Sequence, residues 1–125
     1  MIVGIGTDIV SVERMRALWQ RHGERGMEKI LAPGERVTCR ECSDPARFMA
    51  KRFAAKEALG KALGTGIRAP LVLPAVEVVH DAAGKPEFSL TVDADLLLAG
   101  RGCVAHLSIS DEQDYALAFV VVEKK

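Results

Sequence analysis

The segment Arg47 to Gly66, RFMAKRFAAKEALGKALGTG, restricts the fold of this chain more than any other. Ala50, Ala54, Ala55, Ala58, Leu59, Ala62 and Leu63 are strong helix formers, and no proline interrupts them. Gly64-Thr65-Gly66 then supplies the glycine that ends a helix. On a helical wheel the charges fall into three pairs: Arg47 with Lys51, Arg52 with Lys56, and Glu57 with Lys61. Apolar residues lie between all three. A surface helix shows one polar and one apolar face. This one shows neither, so it is expected to be covered on several sides, its charges meeting partners rather than bulk water. Glu57 and Lys61 lie one turn apart. Such a pair, when confined, can hold a metal and a phosphate, or it can be an intrahelical ion pair and nothing more.

The chain of 125 residues suffices for one compact domain and is short for two. Its formal net charge is zero, which argues against a generic nucleic-acid binder. The balance hides an asymmetry. Val12 to Lys61 holds twelve Lys or Arg against seven Asp or Glu, and the rest holds five against ten. The basic part suggests an anionic ligand, an acidic protein partner, or subunits meeting through unlike surfaces. No apolar run approaches the roughly twenty residues of a membrane span, and the opening Met-Ile-Val-Gly-Ile-Gly lacks the basic start and cleavage site of a secretory signal. Three cysteines, an odd count, fit a reduced, cytoplasmic protein. Cys39 and Cys42 form a CxxC without a second pair, so incidental thiols on a short helix compete with a redox or zinc role.

Ile2 to Asp8 reads as a strand in which Gly4 and Gly6 suggest close backbone approach or a bend. Asp8 interrupts an apolar run. It either caps a turn or, if buried, needs a cation or hydrogen-bond donors. Ser11 and Glu13 open a helix whose core face is Val12, Met15, Leu18, Trp19 and His22. Arg14, Leu18 and Arg21 share a stripe, either a solvated basic face or a docking surface for an acidic helix with Leu18 as its apolar anchor. Short helices are expected over 24–31 and 35–41, broken by Ala32-Pro33-Gly34, and Pro45 suits the first turn of the long helix. A loop over 67–74 leads to a hairpin of strands 75–80 and 87–92, then a helix over 93–99. Strands over 103–110 and 115–123 follow, the last read as a buried closing strand. His106, Ser108 and Ser110 project from one face, which cross-strand bonding or a ligand groove would explain.

Asp8 with Glu57 offers two hard carboxylates that suit Mg²⁺, which keeps waters and takes phosphate oxygens. Lys61 then neutralises a bridging phosphate, Thr65 between two glycines presents backbone N–H groups, and Arg52, Lys56 and His106 serve a second phosphate. The chemistry is a metal-assisted phosphoryl-type transfer or hydrolysis. Spacing alone does not bring Asp8 to Glu57.

GIGTDIV at 4–10, RFAAKEALGKALGTG at 52–66, GKP at 84–86 and HLSIS at 106–110 occur in this order. Together they resemble the holo-acyl-carrier-protein synthases, the short bacterial 4′-phosphopantetheinyl transferases, over essentially the whole chain. The resemblance implies an α+β, 4′-phosphopantetheinyl transferase-like fold, a small antiparallel sheet packed on a long central helix, in one domain spanning 1–125. It implies transfer of the 4′-phosphopantetheine of coenzyme A to a serine of apo-acyl carrier protein, leaving adenosine 3′,5′-bisphosphate. By that resemblance Asp8 and Glu57 match Mg²⁺ ligands, and Glu57 and Lys61 the catalytic positions. Arg52, Lys61, Gly64, Thr65 and His106 match contacts to coenzyme A, with Arg52 and His106 on its 3′-phosphate. Arg14, Leu18 and Arg21 match the carrier-docking helix. The family is typically a homotrimer with sites between subunits. The serine proton goes to Glu57 or to a water on the metal. Asp111-Glu112 stands where many relatives have a second histidine, which leaves Asp111 without an assigned part. Rival readings are a coenzyme A or nucleotide binder without catalysis, a phosphohydrolase on the same metal site, and a carrier-protein scaffold.

Overall fold

Strand β1 (Ile2–Ser11) leads into three short helices, α1 (Val12–His22), α2 (Glu24–Ile30) and α3 (Pro33–Glu41). The long helix α4 (Pro45–Leu63) follows, and a 3₁₀ turn at Leu73–Ala75 precedes the hairpin of β2 (Val76–His80) and β3 (Pro86–Leu90). A short helix, α5 (Val92–Asp95), and a 3₁₀ turn at Ala99–Arg101 lead to β4 (Cys103–Asp111) and β5 (Tyr115–Lys124). The computed structural model describes all 125 residues.

Local chemistry sets most boundaries. Ser11 Oγ accepts the Arg14 amide and starts α1; Asp44 accepts the Arg47 amide and starts α4. Gly64, in the left-handed region at φ 76°, ends α4. Pro33 opens α3 rather than breaking a helix, because a first-turn proline has no N–H to lose. Glu35, third in that helix, turns its carboxylate back to the Ala32 amide. The expected helix over 93–99 is shorter, ending at Asp95 before a run of turns.

The principal sheet is antiparallel in the order β1-β5-β4, so β5 is its central strand rather than a closing edge. The sheet is buried on one face only: Ala116, Ala118, Val120 and Val122 of β5 face the core, while Leu117 and Phe119 are exposed. That corrects the reading of the last strand as a buried closing strand.

α4 lies across the inner face and joins one core of 26 buried residues. Gly4 and Gly6 let it approach. A Cβ on Gly4 would overlap the Ala62 carbonyl oxygen, and one on Gly6 would overlap that of Ala58 and stand 2.7 Å from the Ala62 nitrogen. Alanines at 54, 55, 58 and 62 are the matching small residues of the helix. Its wheel lacks a solvent face because this one chain surrounds it with β1, β4 and β5, α1 to α3 and β2. No helix is long and apolar enough to cross a membrane.

Candidate active site

The crossing of β1 and α4 brings Asp8, Glu57 and Lys61 together. Lys61 Nζ donates to Asp8 Oδ1 at 3.0 Å and to the Thr7 carbonyl at 3.0 Å. It thus bonds across to the strand and not to Glu57 in its own helix. Asp8 shows 17% of its side chain to solvent and Lys61 54%, so the pair stands at a surface opening. Burial, then the neighbouring Asp8 charge, hold the Glu57 carboxyl above its ordinary range; Lys61 and Arg14 pull the other way. Two carboxylates therefore share one desolvated place with two cations around it.

The chemistry of these donors fits Mg²⁺. They are hard oxygens, with mutual repulsion that a divalent cation would relieve. No cluster of three or more His, Cys, Asp or Glu exists that could enclose a metal. A two-carboxylate set leaves the remaining positions to water and to a ligand's oxygens.

The glycine turn after α4 does not supply the expected N–H cradle. The Gly64 amide donates to Lys61, and those of Thr65 and Gly66 donate to Gly60, which closes the helix end. The Thr65 hydroxyl donates to the Gly66 carbonyl. What the turn does provide is room, since nothing lies within 4 Å of a Cβ placed on Gly64 or Gly66.

Arg52 and Lys56 point away from this group, toward α3 and β2. Lys56 is fully buried and donates to Glu35 Oε1 at 2.6 Å, Ile30 O at 2.7 Å and Leu73 O at 3.0 Å. All three of its protons are taken, so it has none for a phosphate, contrary to the sequence expectation. Arg52, 8% exposed, stacks on the Phe48 ring at 4.3 Å and lines a cavity of ≈ 270 Å³ with Thr38, Glu77 and His80. Burial, then the Arg52 and Lys51 charges, depress the His80 imidazole.

His106 stands on the outer face of the sheet, opposite to the face that carries Asp8, and meets Glu123 at 2.7 Å. Ser108 and Ser110 share that exposed face. A cavity of ≈ 330 Å³ is lined by Lys85, Pro86, Val104 and His106. Two segments far apart in sequence, GKP and HLSIS, thus converge on one hollow.

Arg14, Leu18 and Arg21 line a shallow depression on α1. The Arg14 guanidinium also lies over Phe53 at 5.4 Å. Neither arginine forms an ion pair, and Leu18 is half-buried between them. His22 is exposed rather than part of the core face. Arg25 and Lys29 extend the basic surface onto α2. Cys42 Sγ donates to the Cys39 carbonyl, and burial pushes the Cys39 thiol up to about 12, so it is a packed thiol rather than a reactive one.

Sequence reasoning missed Glu35 and Arg47. Glu35 carried a signal, three residues past a helix start, but its partner Lys56 lies too far along the chain to be foreseen. Arg47 binds the β4–β5 turn through Asp111 Oδ2 at 3.1 Å and the carbonyls of Glu112 and Gln113 at 2.6 and 2.8 Å. This gives Asp111 a structural part.

Residues 4–120 match the model of the 4′-phosphopantetheinyl transferase superfamily. A holo-[acyl-carrier-protein] synthase of Azoarcus sp. (strain BH72) is 55% identical over 125 residues, covering 100% of both chains. The chain belongs to the holo-acyl-carrier-protein synthase family. The crystal structure of the synthase from Neisseria meningitidis superposes with a TM-score of 0.94 at 46% identity, covering 99% of this chain and 100% of that one. A synthase from Bacillus anthracis, solved in complex with CoA (3′,5′-ADP), superposes with a TM-score of 0.83 at 37% identity, covering 100% and 99%. The protein is an enzyme of this transferase family, with the family's α+β fold.

Proposed function

We propose that the protein moves the 4′-phosphopantetheine of coenzyme A onto a serine of apo-acyl carrier protein, with Mg²⁺, leaving adenosine 3′,5′-bisphosphate. The observation that carries the reading is the convergence of Asp8, Glu57 and Lys61 at one surface opening. Asp8 and Glu57 would hold Mg²⁺, which supplies charge withdrawal from the bridging phosphates. Lys61 is a free-ended ammonium that can exchange Asp8 for a phosphate oxygen and stabilise the departing bisphosphate. The serine proton would pass to Glu57 or to a water held with the metal. Gly64 and Thr65 are proposed to contact coenzyme A in the turn after Lys61, where Gly64 and Gly66 leave open space.

Arg52 and His106 are proposed to hold the 3′-phosphate, and Arg14, Leu18 and Arg21 to dock the acidic helix of the carrier protein. Within one chain Arg52 and His106 lie away from Asp8, and His106 is on the opposite sheet face. That face also exposes Ile5, Ile9, Leu117 and Phe119, a contiguous apolar surface by strand register. Both features support a homotrimer in which neighbouring copies complete each site. The whole of 1–125 acts as a single transferase domain in the cytoplasm.

The test is intact-mass measurement of apo-acyl carrier protein incubated with the protein, coenzyme A and Mg²⁺, beside a reaction with chelator. A phosphopantetheine mass gain that chelator abolishes is expected. No gain on several carriers, with coenzyme A still bound, would favour a non-catalytic binder.

A further inference from the structure

The buried side chains of Glu35, Arg52 and Lys56 bring together two cations and one carboxylate, and a second carboxylate, Glu77, lines the cavity that Arg52 faces. Glu35, 3% exposed, is saturated. Oε1 accepts from Lys56 at 2.6 Å and the Ala32 amide at 2.8 Å, and Oε2 accepts from the Val78 amide at 2.9 Å. Arg52 stands at the edge of this arrangement, Nε 3.5 Å from Glu35 Oε2, within ion-pair range but without a hydrogen bond. No guanidinium nitrogen of Arg52 donates to a protein acceptor, although the side chain is nine-tenths buried and lines the cavity between α3 and β2. Such a donor set is expensive to leave unmade.

We infer that Lys56 is a positioning residue: by occupying and neutralising Glu35 it keeps that carboxylate from closing on Arg52, whose guanidinium donors stay free for an anion. A carboxylate free of Lys56 would direct its charge to Arg52, and the group of three would lose its surplus positive charge. Phe48 fixes the plane of the guanidinium from the other side. The ligand class is a phosphate monoester dianion, and the inference rests on the assignment of Arg52 to the 3′-phosphate of coenzyme A.

The experiment compares calorimetric binding of coenzyme A with that of 3′-dephospho-coenzyme A, which differ only in that phosphate. The wild-type protein, Lys56→Gln and the double variant Glu35→Gln/Lys56→Gln are measured, with circular dichroism as a check of fold. The wild type should prefer coenzyme A. Lys56→Gln should lower that preference about tenfold while leaving dephospho-coenzyme A affinity unchanged. The double variant restores a net positive cluster and should recover the preference. Equal weakening of both ligands in Lys56→Gln, or no recovery in the double variant, overturns the inference. If Lys56→Gln alone does not fold, the double variant decides, since a lost preference there is the overturning result. A wild type without preference would instead refute the Arg52 assignment on which the inference rests.

Discussion

Lys61 lies one helical turn from Glu57, yet its ammonium crosses to Asp8 on β1, 3.0 Å from Oδ1. The strand offers it a carboxylate and the Thr7 carbonyl at one point, whereas Glu57 offers a single intrahelical contact, of a kind worth about 0.3 kcal/mol in an isolated helix. Glu57 is therefore left without a hydrogen-bonded counter-ion beside a second carboxylate.

This arrangement makes Glu57→Gln stabilising in the metal-free protein at neutral pH. A carboxyl whose folded value lies above its ordinary 4.5 favours the fold at low pH, and that support is lost as pH rises through the folded value. At pH 7 the wild type holds the strained carboxylate and the glutamine variant does not. Melting by calorimetry in chelator should show the variant higher by about 2 °C at pH 7, with the difference gone below pH 4. Adding Mg²⁺ should raise the wild type and leave the variant unmoved. A lower melting point at pH 7 in chelator would contradict the shared-site geometry.

Gly6→Ala should be severe for a residue that carries no chemistry. The added methyl would meet backbone atoms of Ala58 and Ala62, which cannot turn aside as a flexible side chain would. Parting α4 from β1 should cost about 3 kcal/mol in urea unfolding, and transfer should fall as well, because Asp8 lies two residues on. A loss of stability near that of an ordinary surface substitution would mean that the helix is free to shift.

The parts of this fold that were legible in the sequence are those governed by near neighbours. Ser11 as a cap, Pro45 in a first turn, Gly64 as a stop, the hairpin and the long helix follow from local spacing. The central place of β5 was not legible, because alternation reveals faces but not the order of strands. Lys56 was misread for a similar reason. A wheel puts it beside Arg52, but its partners Ile30, Glu35 and Leu73 come from three other segments. Asp8 and Glu57 were proposed as a pair from chemistry alone. Two glycines on β1 and small residues on α4 bring them to one place, and only the packed structure displays that.

Arg21→Glu should raise the KM for carrier protein about tenfold and leave the KM for coenzyme A unchanged, since it reverses a charge on the proposed carrier-docking face and does not act on Glu57. Arg14→Glu should act on both. Arg14 helps hold the Glu57 carboxyl down, so its reversal raises that carboxyl further and weakens the metal site. Steady-state kinetics with each substrate varied in turn separates the two cases. An equal rise in both constants for Arg21→Glu would remove α1 from the docking surface.

Phe119 occupies the middle of the exposed sheet face. Its cross-strand neighbours are Thr7 on β1 and Ser108 on β4, with Leu117 and Val121 two residues to either side. It is 42% exposed in the single chain, so a glutamate there meets water and should leave the monomer's fold and melting point nearly intact. At an interface between copies the same glutamate would be buried against apolar side chains without a counter-ion. Sedimentation of the wild type should report a trimer, and of Phe119→Glu a monomer. Transfer should fall with the trimer, because His106 shares the outer face and Asp8 the inner one. Mixing an inactive Phe119→Glu monomer with chelator-treated wild type should not restore it. A trimeric Phe119→Glu would put the interface on another face, and a fully active monomer would mean that one chain gathers the whole site by a movement of its own.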